Sequence, residues 1–412
     1  MKAVVFTLGC KVNECESDSL INGLIKLGYE VSDKLEYADL YIVNTCAVTA
    51  EAEKKSRQTS SRIYKLNPNA RVIFTGCATQ KNPKPFAEKK NASLVTGVFG
   101  KNKILEMLND CGEKIFDPTS EFEELLAVKS LRTRAYVKVQ DGCNNFCAYC
   151  IIPYLRGRSR SRDTKKVVEE VVTVGAKETV INGINLSAYD YNGKTLTDLM
   201  LALKDVNTRI RLGSLEVGVI TEEFLTALKG LKDFAPHFHL SLQSGSNAVL
   251  KKMNRHYTTE EFKDKVDLIR KFFPLAGITT DIIVGFPTET EEDFLESVNF
   301  AKEVAFSDIH PFIFSPRSGT VAYKMADLPH EIKKARLDKL LQVKLQLKEK
   351  FISSCINKPF EIIVEESADG FMQGYTENYI RAYIKGEYAQ GEKVKAILTE
   401  SYKDGGIFTP IK

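Results

Sequence analysis

The 412-residue sequence predicts an α/β protein in three parts. These are an open parallel α/β domain over 1–115, a partial (β/α) barrel of six strands over 129–345, and a small β-barrel over 346–412. Three observations carry this. Apolar runs of strand length alternate with helical patterns in two separate series, the signature of parallel sheets covered by helices. A cluster of cysteines, Cys143-Asn144-Asn145-Phe146-Cys147-Ala148-Tyr149-Cys150, directly follows the first strand of the second series. After Pro359 the texture changes to short strands joined by turns containing Gly and Asp.

In the first series Lys2–Leu8 reads as a buried strand, Ser17–Leu27 as a helix stopped by Gly28, and Asp39–Thr45 as a strand. Ala50–Leu66 reads as a helix, Arg71–Gly76 and Ser93–Gly97 as strands, and Asn102–Leu108 as a last helix. In open parallel sheets ligands sit beyond the carboxyl ends of the strands. Cys10, Cys46 and Cys77 each follow a different strand by one or two residues, so they can converge there. Small buried residues at strand ends are the alternative, but recurrence at three equivalent positions favours a three-thiol site. Cys15 reads as a bystander, and Cys111 and Cys355 as isolated thiols.

The second series has strands at Ala135–Gln140, Glu178–Asn182, Arg209–Leu212, Phe238–Leu242, Thr279–Val284 and Ile309–Phe314. Helical patterns at Thr164–Val174, Leu196–Val206, Glu222–Leu231, Glu260–Phe273 and Glu292–Val304 lie between them. Barrel logic places the working face at the carboxyl ends of the strands. The cysteine loop belongs to that face. So do Asn182-Gly183-Ile184-Asn185, Ser214-Leu215-Glu216, Gln243-Ser244-Gly245-Ser246 and Val284-Gly285-Phe286-Pro287. Thiols this closely spaced suit an iron–sulfur cluster or zinc. Zinc wants four closed ligands, and no nearby Cys or His supplies a fourth, which favours a cluster that keeps one iron open for a small molecule.

Basic residues gather in two places. Arg156, Arg158, Arg160, Arg162, Lys165 and Lys166 follow the cysteine loop against one acid, Asp163, and read either as a solvated loop or as phosphate contacts of a large substrate. The stretch 331–350 is basic on an amphipathic pattern and reads first as an exposed helix face. The five histidines lack zinc-enzyme spacing. In the last part Arg381, Lys385, Lys393 and Lys395 alternate with Tyr375, Tyr379, Tyr383 and Tyr388, a composition able to bind RNA by phosphate contact and stacking.

A formal net charge of +4 is too small to prove a polyanionic partner. No apolar run approaches a membrane span, so no membrane partner is expected. Met1–Phe6 runs into a strand without a signal peptide's apolar region. A cytoplasmic location is expected, in which nine cysteines act as ligands or core rather than disulfides.

The order of strand-end cysteines, C-x₃-C-x₂-C barrel and closing β-barrel resembles the methylthiotransferases, radical S-adenosylmethionine (SAM) enzymes that exchange C–H for C–SCH₃. Thr7-Leu8-Gly9-Cys10-Lys11-Val12-Asn13 with Glu16-Ser17 is similar to the subgroup acting on threonylcarbamoyladenosine beside the tRNA anticodon. Asn44-Thr45-Cys46-Ala47-Val48-Thr49, Thr75-Gly76-Cys77, Arg156–Arg162 and Leu240–Gly245 also match. Glu14-Cys15 and Glu216-Val217 depart from the commoner Gln-Tyr and Glu-Pro. The resemblance implies two 4Fe-4S clusters and SAM. Cys143, Cys147 and Cys150 would hold the SAM-cleaving cluster, and Cys10, Cys46 and Cys77 an auxiliary cluster supplying sulfur. Tyr149, Asn182, Gly183, Asn185, Glu216, Gln243 and Gly285 would line the cofactor cavity. Arg156, Arg158, Arg160, Arg162, Arg381 and Lys385 would hold RNA, with the last barrel acting as a TRAM-like module. The implied partners are a tRNA anticodon stem-loop and an electron donor, with no DNA. Isopentenyladenosine in tRNA or a ribosomal protein is the rival substrate, and a non-enzymatic iron–sulfur or tRNA-binding protein the rival class.

Overall fold

The structure is a computed structural model and describes residues 1–125 and 133–411. The expected start of the second domain, residue 129, lies outside the described residues.

The first sheet contains β1 (Lys2–Thr7), β2 (Glu30–Ser32), β3 (Leu40–Thr45), β4 (Arg71–Gly76), β5 (Ala92–Thr96) and β6 (Gly112–Lys114) in the order β2-β1-β3-β4-β5-β6, with every neighbouring pair parallel. Its central strands are apolar on both faces because helices cover both; β3 is buried along its whole length. The covering helices are α1 (Lys11–Lys26), α2 (Ala50–Leu66), α3 (Cys77–Lys81) and α4 (Lys84–Ala87). At the start of α2 the Thr49 side chain accepts the Ala52 N–H at 3.1 Å, a cap that fixes where the chain turns after Cys46. The helix expected at Asn102–Leu108 is one 3₁₀ turn at Lys101–Lys103 followed by turns.

The central strands are β7 (Arg134–Asp141), β8 (Arg160–Ser161), β9 (Glu178–Gly183), β10 (Asp190–Tyr191), β11 (Lys194–Thr195), β12 (Arg209–Leu212), β13 (Ser214–Leu215), β14 (His237–Gln243), β15 (Gly277–Val284) and β16 (Asp308–Ile313). The expected barrel forms as two sheets, β12-β9-β7-β8 and β13-β14-β15-β16. Its third strand changes partner midway: Arg209–Leu212 pairs with β9, and Ser214–Leu215 with β14. Gly213 marks the switch, where a Cβ would lie 2.8 Å from Asn182 Oδ1. The helices are α5 (Ile152–Arg156), α6 (Thr164–Val174), α7 (Leu196–Ala202), α8 (Glu222–Lys229), α9 (Asn247–Lys252), α10 (Thr259–Phe272), α11 (Glu291–Val304) and α12 (His330–Ser354). Capping boxes at Thr258/Glu261 and Thr290/Asp293 set the starts of α10 and α11. One continuous apolar core joins outward strand residues such as Val137, Ile181, Leu240 and Ile282 to these helices.

α12 runs through the expected 345/346 boundary and leads into β17 (Pro359–Ala368), β18 (Phe371–Thr376), β19 (Arg381–Ile384), β20 (Lys393–Tyr402) and β21 (Gly405–Pro410). These close a barrel in the order β17-β18-β19-β21-β20 around Phe360, Ile362, Val364, Ala382, Leu398 and Phe408. The barrel docks under the amino ends of the central strands. There Arg211 donates to the Glu377 and Thr376 carbonyls at 3.1 and 3.3 Å, and the His237 ring stacks on Tyr379 at 4.5 Å. Tyr375 stacks on Tyr379, and the Arg134 guanidinium lies over both rings, so this pair is part of the joint rather than a free platform for bases.

Candidate active site

β3 lies between β1 and β4 in the first sheet, so residues just beyond the ends of adjacent strands stand about one strand spacing, roughly 4.8 Å, apart. Cys10, Cys46 and Cys77 occupy those places. The loops are lashed together: Asn13 Nδ2 donates to the Leu8 and Thr45 carbonyls at 2.9 and 3.1 Å, and Thr45 Oγ1 donates to the Thr75 carbonyl at 2.7 Å. Gly9 has φ +118°, and a Cβ there would come 3.2 Å from Cys46 Sγ. Burial pushes the Cys46 thiol up to about 12, with Cys77 and Cys10 adding to the effect, and raises Cys10, with Cys77 adding to it. Such thiols become thiolates when they bind a metal centre. Cys15 is not part of this group; it is buried on α1 and its Sγ–H donates to the Tyr136 carbonyl at 3.2 Å. Cys111 is exposed, and Cys355 lies in the core of the last barrel.

The second triplet lies beyond β7. Gly142, at φ +70°, carries the chain out of the strand, and a Cβ there would meet the Arg158 carbonyl oxygen at 2.0 Å. Cys143 Sγ accepts the Asn145 N–H at 3.5 Å, and Arg255 Nη1 donates to Cys147 Sγ at 3.2 Å. Burial pushes Cys150 up to about 12 and raises Cys143. A cationic donor beside three desolvated thiols suits a thiolate-ligated cluster. Among the described residues no three His, Cys, Asp or Glu side chains converge on a single-ion site. A four-iron cube spreads its ligand sulfurs wider than one ion does, and three thiols in one loop fit it.

Beside this loop is a cavity of about 440 Å³ lined by Asn145, Asn185, Glu216, Arg255, Tyr257 and neighbours. Glu216 Oε1 accepts from Asn145 at 2.7 Å and pairs with Arg255 at 2.9 Å, while Asn185 takes its backbone N–H to Gln140 Oε1 at 2.7 Å. Asn182 is buried with Nδ2 lacking a protein partner, and Gly183 packs so closely on Gln140 that a Cβ would lie 2.9 Å away. Tyr149 is half-buried, with Cys147, Cys150, Arg255 and Tyr257 as electrostatic neighbours. Of the seven expected cavity residues, Asn185 and Glu216 line this space, whereas Tyr149, Asn182, Gly183, Gln243 and Gly285 do not. Gln243, at φ +71°, is not among the lining residues, and the space beside Gly285 is filled by Lys333, whose Cγ lies 2.2 Å from where a Cβ would be. Arg255, His256 and Tyr257 were missed. The available signal was their place between the fourth and fifth strands of the series, in the short polar link between α9 and α10.

The basic run corrects most sharply. Arg156 is 0% exposed and bonds Glu16, Asp141 and Asn13. Arg160 is buried against Asp141, and Arg162 against Glu124 and Glu170. These three side chains are spent on carboxylates and cannot reach phosphates. Arg158 is exposed, with its guanidinium 4.6 Å from the Phe146 ring centroid, and Tyr154, 51% exposed, meets Phe146 edge-on at 5.5 Å. Arg381 is tied to Gln373 and Asp404, whereas Lys385 is exposed.

Glu16 is the centre of a buried network that also takes Lys101, Lys138 at 3.2 Å and Arg156 at 2.9 Å. Burial alone would raise its carboxyl, but Arg156, Lys101 and Lys138 together hold it well below the usual range. The network ties the triplets together. Cys10 Sγ approaches Asn13 Oδ1 at 3.8 Å, Arg156 donates to that same oxygen at 2.9 Å and to Asp141 at 3.1 Å, and Asp141 accepts the Gly142 N–H at 2.8 Å.

Parallel strands curved around a cavity, with a three-thiol loop at its mouth, define a radical SAM protein. Residues 137–301 match the Radical SAM superfamily, and residues 2–97 match the uncharacterized protein family UPF0004. The fold is similar to that of the radical S-adenosylmethionine methyltransferase TsrM from Kitasatospora setae, with a TM-score of 0.57 at 14% identity over 90% of this chain and 80% of that one. The chain is 38% identical, over 94% of its length and 91% of the relative's, to the threonylcarbamoyladenosine tRNA methylthiotransferase MtaB of Bacillus subtilis. The Thermotoga maritima protein of the same name is 39% identical over 92% and 91%. A tRNA-2-methylthio-N(6)-dimethylallyladenosine synthase of Thermoanaerobacter sp. is 36% identical over 87% and 81%. The chain belongs to the tRNA methylthiotransferase family.

Proposed function

We propose that this protein is a radical SAM methylthiotransferase that places a methylthio group on carbon 2 of N6-threonylcarbamoyladenosine next to the tRNA anticodon. The observation that carries the reading is the path of contacts from Cys10 through Asn13, Arg156 and Asp141 to the Cys143 loop, which supports two three-thiol sites working on one substrate.

In this reading Cys143, Cys147 and Cys150 hold one 4Fe-4S cluster and Cys10, Cys46 and Cys77 the other. Bound there, the clusters and SAM supply the electron, the hydrogen-abstracting radical, the sulfur and the methyl group. The chain's own work is placement. Arg255 braces Cys147 and Glu216 at once, and Asn145, Asn185 and Glu216 offer polar contacts for SAM in the 440 Å³ cavity. Half-buried Phe146 with exposed Tyr154 and Arg158 forms an aromatic and cationic rim beside the loop, suited to an unstacked base and its phosphate. The target base must leave the anticodon-loop stack to reach the cavity. Lys385 and the last barrel, acting as a TRAM-like module, hold the rest of the anticodon stem-loop. A soluble electron donor reduces the first cluster, and the enzyme works in the cytoplasm; among the described residues no helix is long and apolar enough to cross a membrane.

Reconstituted protein given a threonylcarbamoyladenosine stem-loop forms 5′-deoxyadenosine and the methylthio product. With Cys10, Cys46 and Cys77 changed to Ala, 5′-deoxyadenosine persists while the product disappears. With Cys143, Cys147 and Cys150 changed, both disappear. Equal loss of both products in the first variant rejects this division of roles.

A further inference from the structure

A second cavity of about 240 Å³ lies between the central strands and the last barrel. Its wall includes Lys11, His237, His239, His310, Asn378 and Tyr379. Lys11 immediately follows Cys10, so the two Cα atoms are about 3.8 Å apart and the lysine side chain leaves the backbone beside the first triplet.

The charges around this cavity are nearly all accounted for. Asp308 is paired with Lys344 and Lys348 at 3.3 and 3.2 Å, and Asp404 with Arg381 at 3.3 Å. His239 is held by Asp281 at 3.3 Å and Thr279 at 3.0 Å. Glu178, an electrostatic neighbour of Lys11 behind the wall, is taken by Arg134 and Arg211 at 3.1 and 2.7 Å. Lys11 is the exception: among the described residues no carboxylate lies within ion-pair distance of it. His237 adds an independent sign of a missing ligand. It is 4% exposed, its Nε2 meets Thr279 Oγ1 at 3.0 Å, and its Nδ1 is buried without a partner. A lysine without a counter-ion and an unmatched ring nitrogen on one wall are complementary to a carboxylate carrying a neighbouring hydroxyl or amide.

We infer that this cavity is the subsite for the N6 substituent of the target adenosine, with Lys11 pairing with the threonine carboxylate, and that Lys11 selects threonylcarbamoyl over dimethylallyl. The inference rests on the substrate reading above and deepens it. Relatives acting on either substituent resemble the chain comparably, at 38% and 36% identity, so overall identity does not make the choice. The cavity does. A hydrocarbon substituent would cover Lys11 and His237 without satisfying either, and buried groups left unpaired are what give a polar site its selectivity.

The test uses reconstituted holoenzyme and three stem-loops that differ only at N6: threonylcarbamoyl, its carboxyl methyl ester, and dimethylallyl. Binding is read by titration and methylthiolation as kcat/KM. Wild-type enzyme prefers the acid to its ester about ten- to a hundredfold, the range for a hydrogen bond to a charged group. Lys11→Met loses that preference, binds the ester and the dimethylallyl stem-loop as wild type does, and keeps its iron; Lys11→Arg restores most of the preference. If wild type treats acid and ester alike, or Lys11→Met weakens both by the same factor, the inference is overturned while the methylthiotransferase reading stands. If wild type leaves every threonylcarbamoyl stem-loop unmodified, the substrate reading fails and takes this inference with it.

Discussion

At the scale of single residues, the consequential side chain is Glu16. Its carboxyl is held well below the usual range by Arg156, Lys101 and Lys138, so its folded-state pKa lies below its unfolded value of about 4.3. A depressed carboxylate contributes stability that is fully present above the unfolded value and is lost as pH falls through the folded one. Glu16→Gln leaves three buried cations short of an anion and should cost about 3–5 kcal/mol. Urea melts compared at pH 7 and pH 3.5 should show wild type losing more stability on acidification than the variant does; parallel losses would place the acid sensitivity elsewhere. Arg158 is the counter-case. Exposed beside the thiol loop, it should reduce the slope of log affinity for tRNA against log salt by about one when changed to Ala, with stability within about 0.5 kcal/mol. The spacing of the cysteines was legible because ligand loops are local. The fate of Arg156 was not: its partner Glu16 lies 140 residues away, and a run of arginines does not reveal which distant carboxylates will meet it.

Elements show where periodicity reads well and where it fails. The apolar strands of both series were legible, β4 to the residue, because strands buried on both faces carry long Val, Ile and Phe runs between turn signals. The start of α1 was missed. The expectation was Ser17, and the helix begins at Lys11, because its first turns bury Asn13 and Glu16 by hydrogen bonding rather than by an apolar stripe. The short strands β2 and β6 at the sheet edges were also missed; at three residues each they carry almost no pattern. The link between β4 and α3 gives a test at this scale. Gly76 has φ +105°, and a Cβ there would lie 2.5 Å from the Thr45 carbonyl oxygen. Gly76→Ala must move the strand end that carries Cys77. Iron in reconstituted protein should then fall from about eight atoms towards about half, the complement of one cube. Full iron in that variant would mean that Cys77 is not a ligand.

For the whole molecule, the organisation follows from where each part meets the central strands. The first domain reaches the thiol loop through α1 and the Glu16 network, while the last barrel closes the opposite ends of the strands with Tyr375, Tyr379, Thr376 and Glu377. This explains why the alternation of basic residues and tyrosines in the last barrel overstated its RNA surface: Tyr375 and Tyr379 are used in the joint, while Lys385 stays free. Three kinds of texture in the sequence were enough to separate the parts, but the docking faces depend on contacts between residues far apart in the chain, which no local pattern encodes. The central claim, methylthio transfer to threonylcarbamoyladenosine, is tested most directly by deleting the gene from its host and analysing nucleosides of bulk tRNA by mass spectrometry. The account predicts that threonylcarbamoyladenosine loses its 2-methylthio group and regains it when the gene is returned, while methylthio-isopentenyladenosine is unchanged. Loss of the methylthio group from the isopentenyl nucleoside, with the threonylcarbamoyl derivative intact, would contradict it.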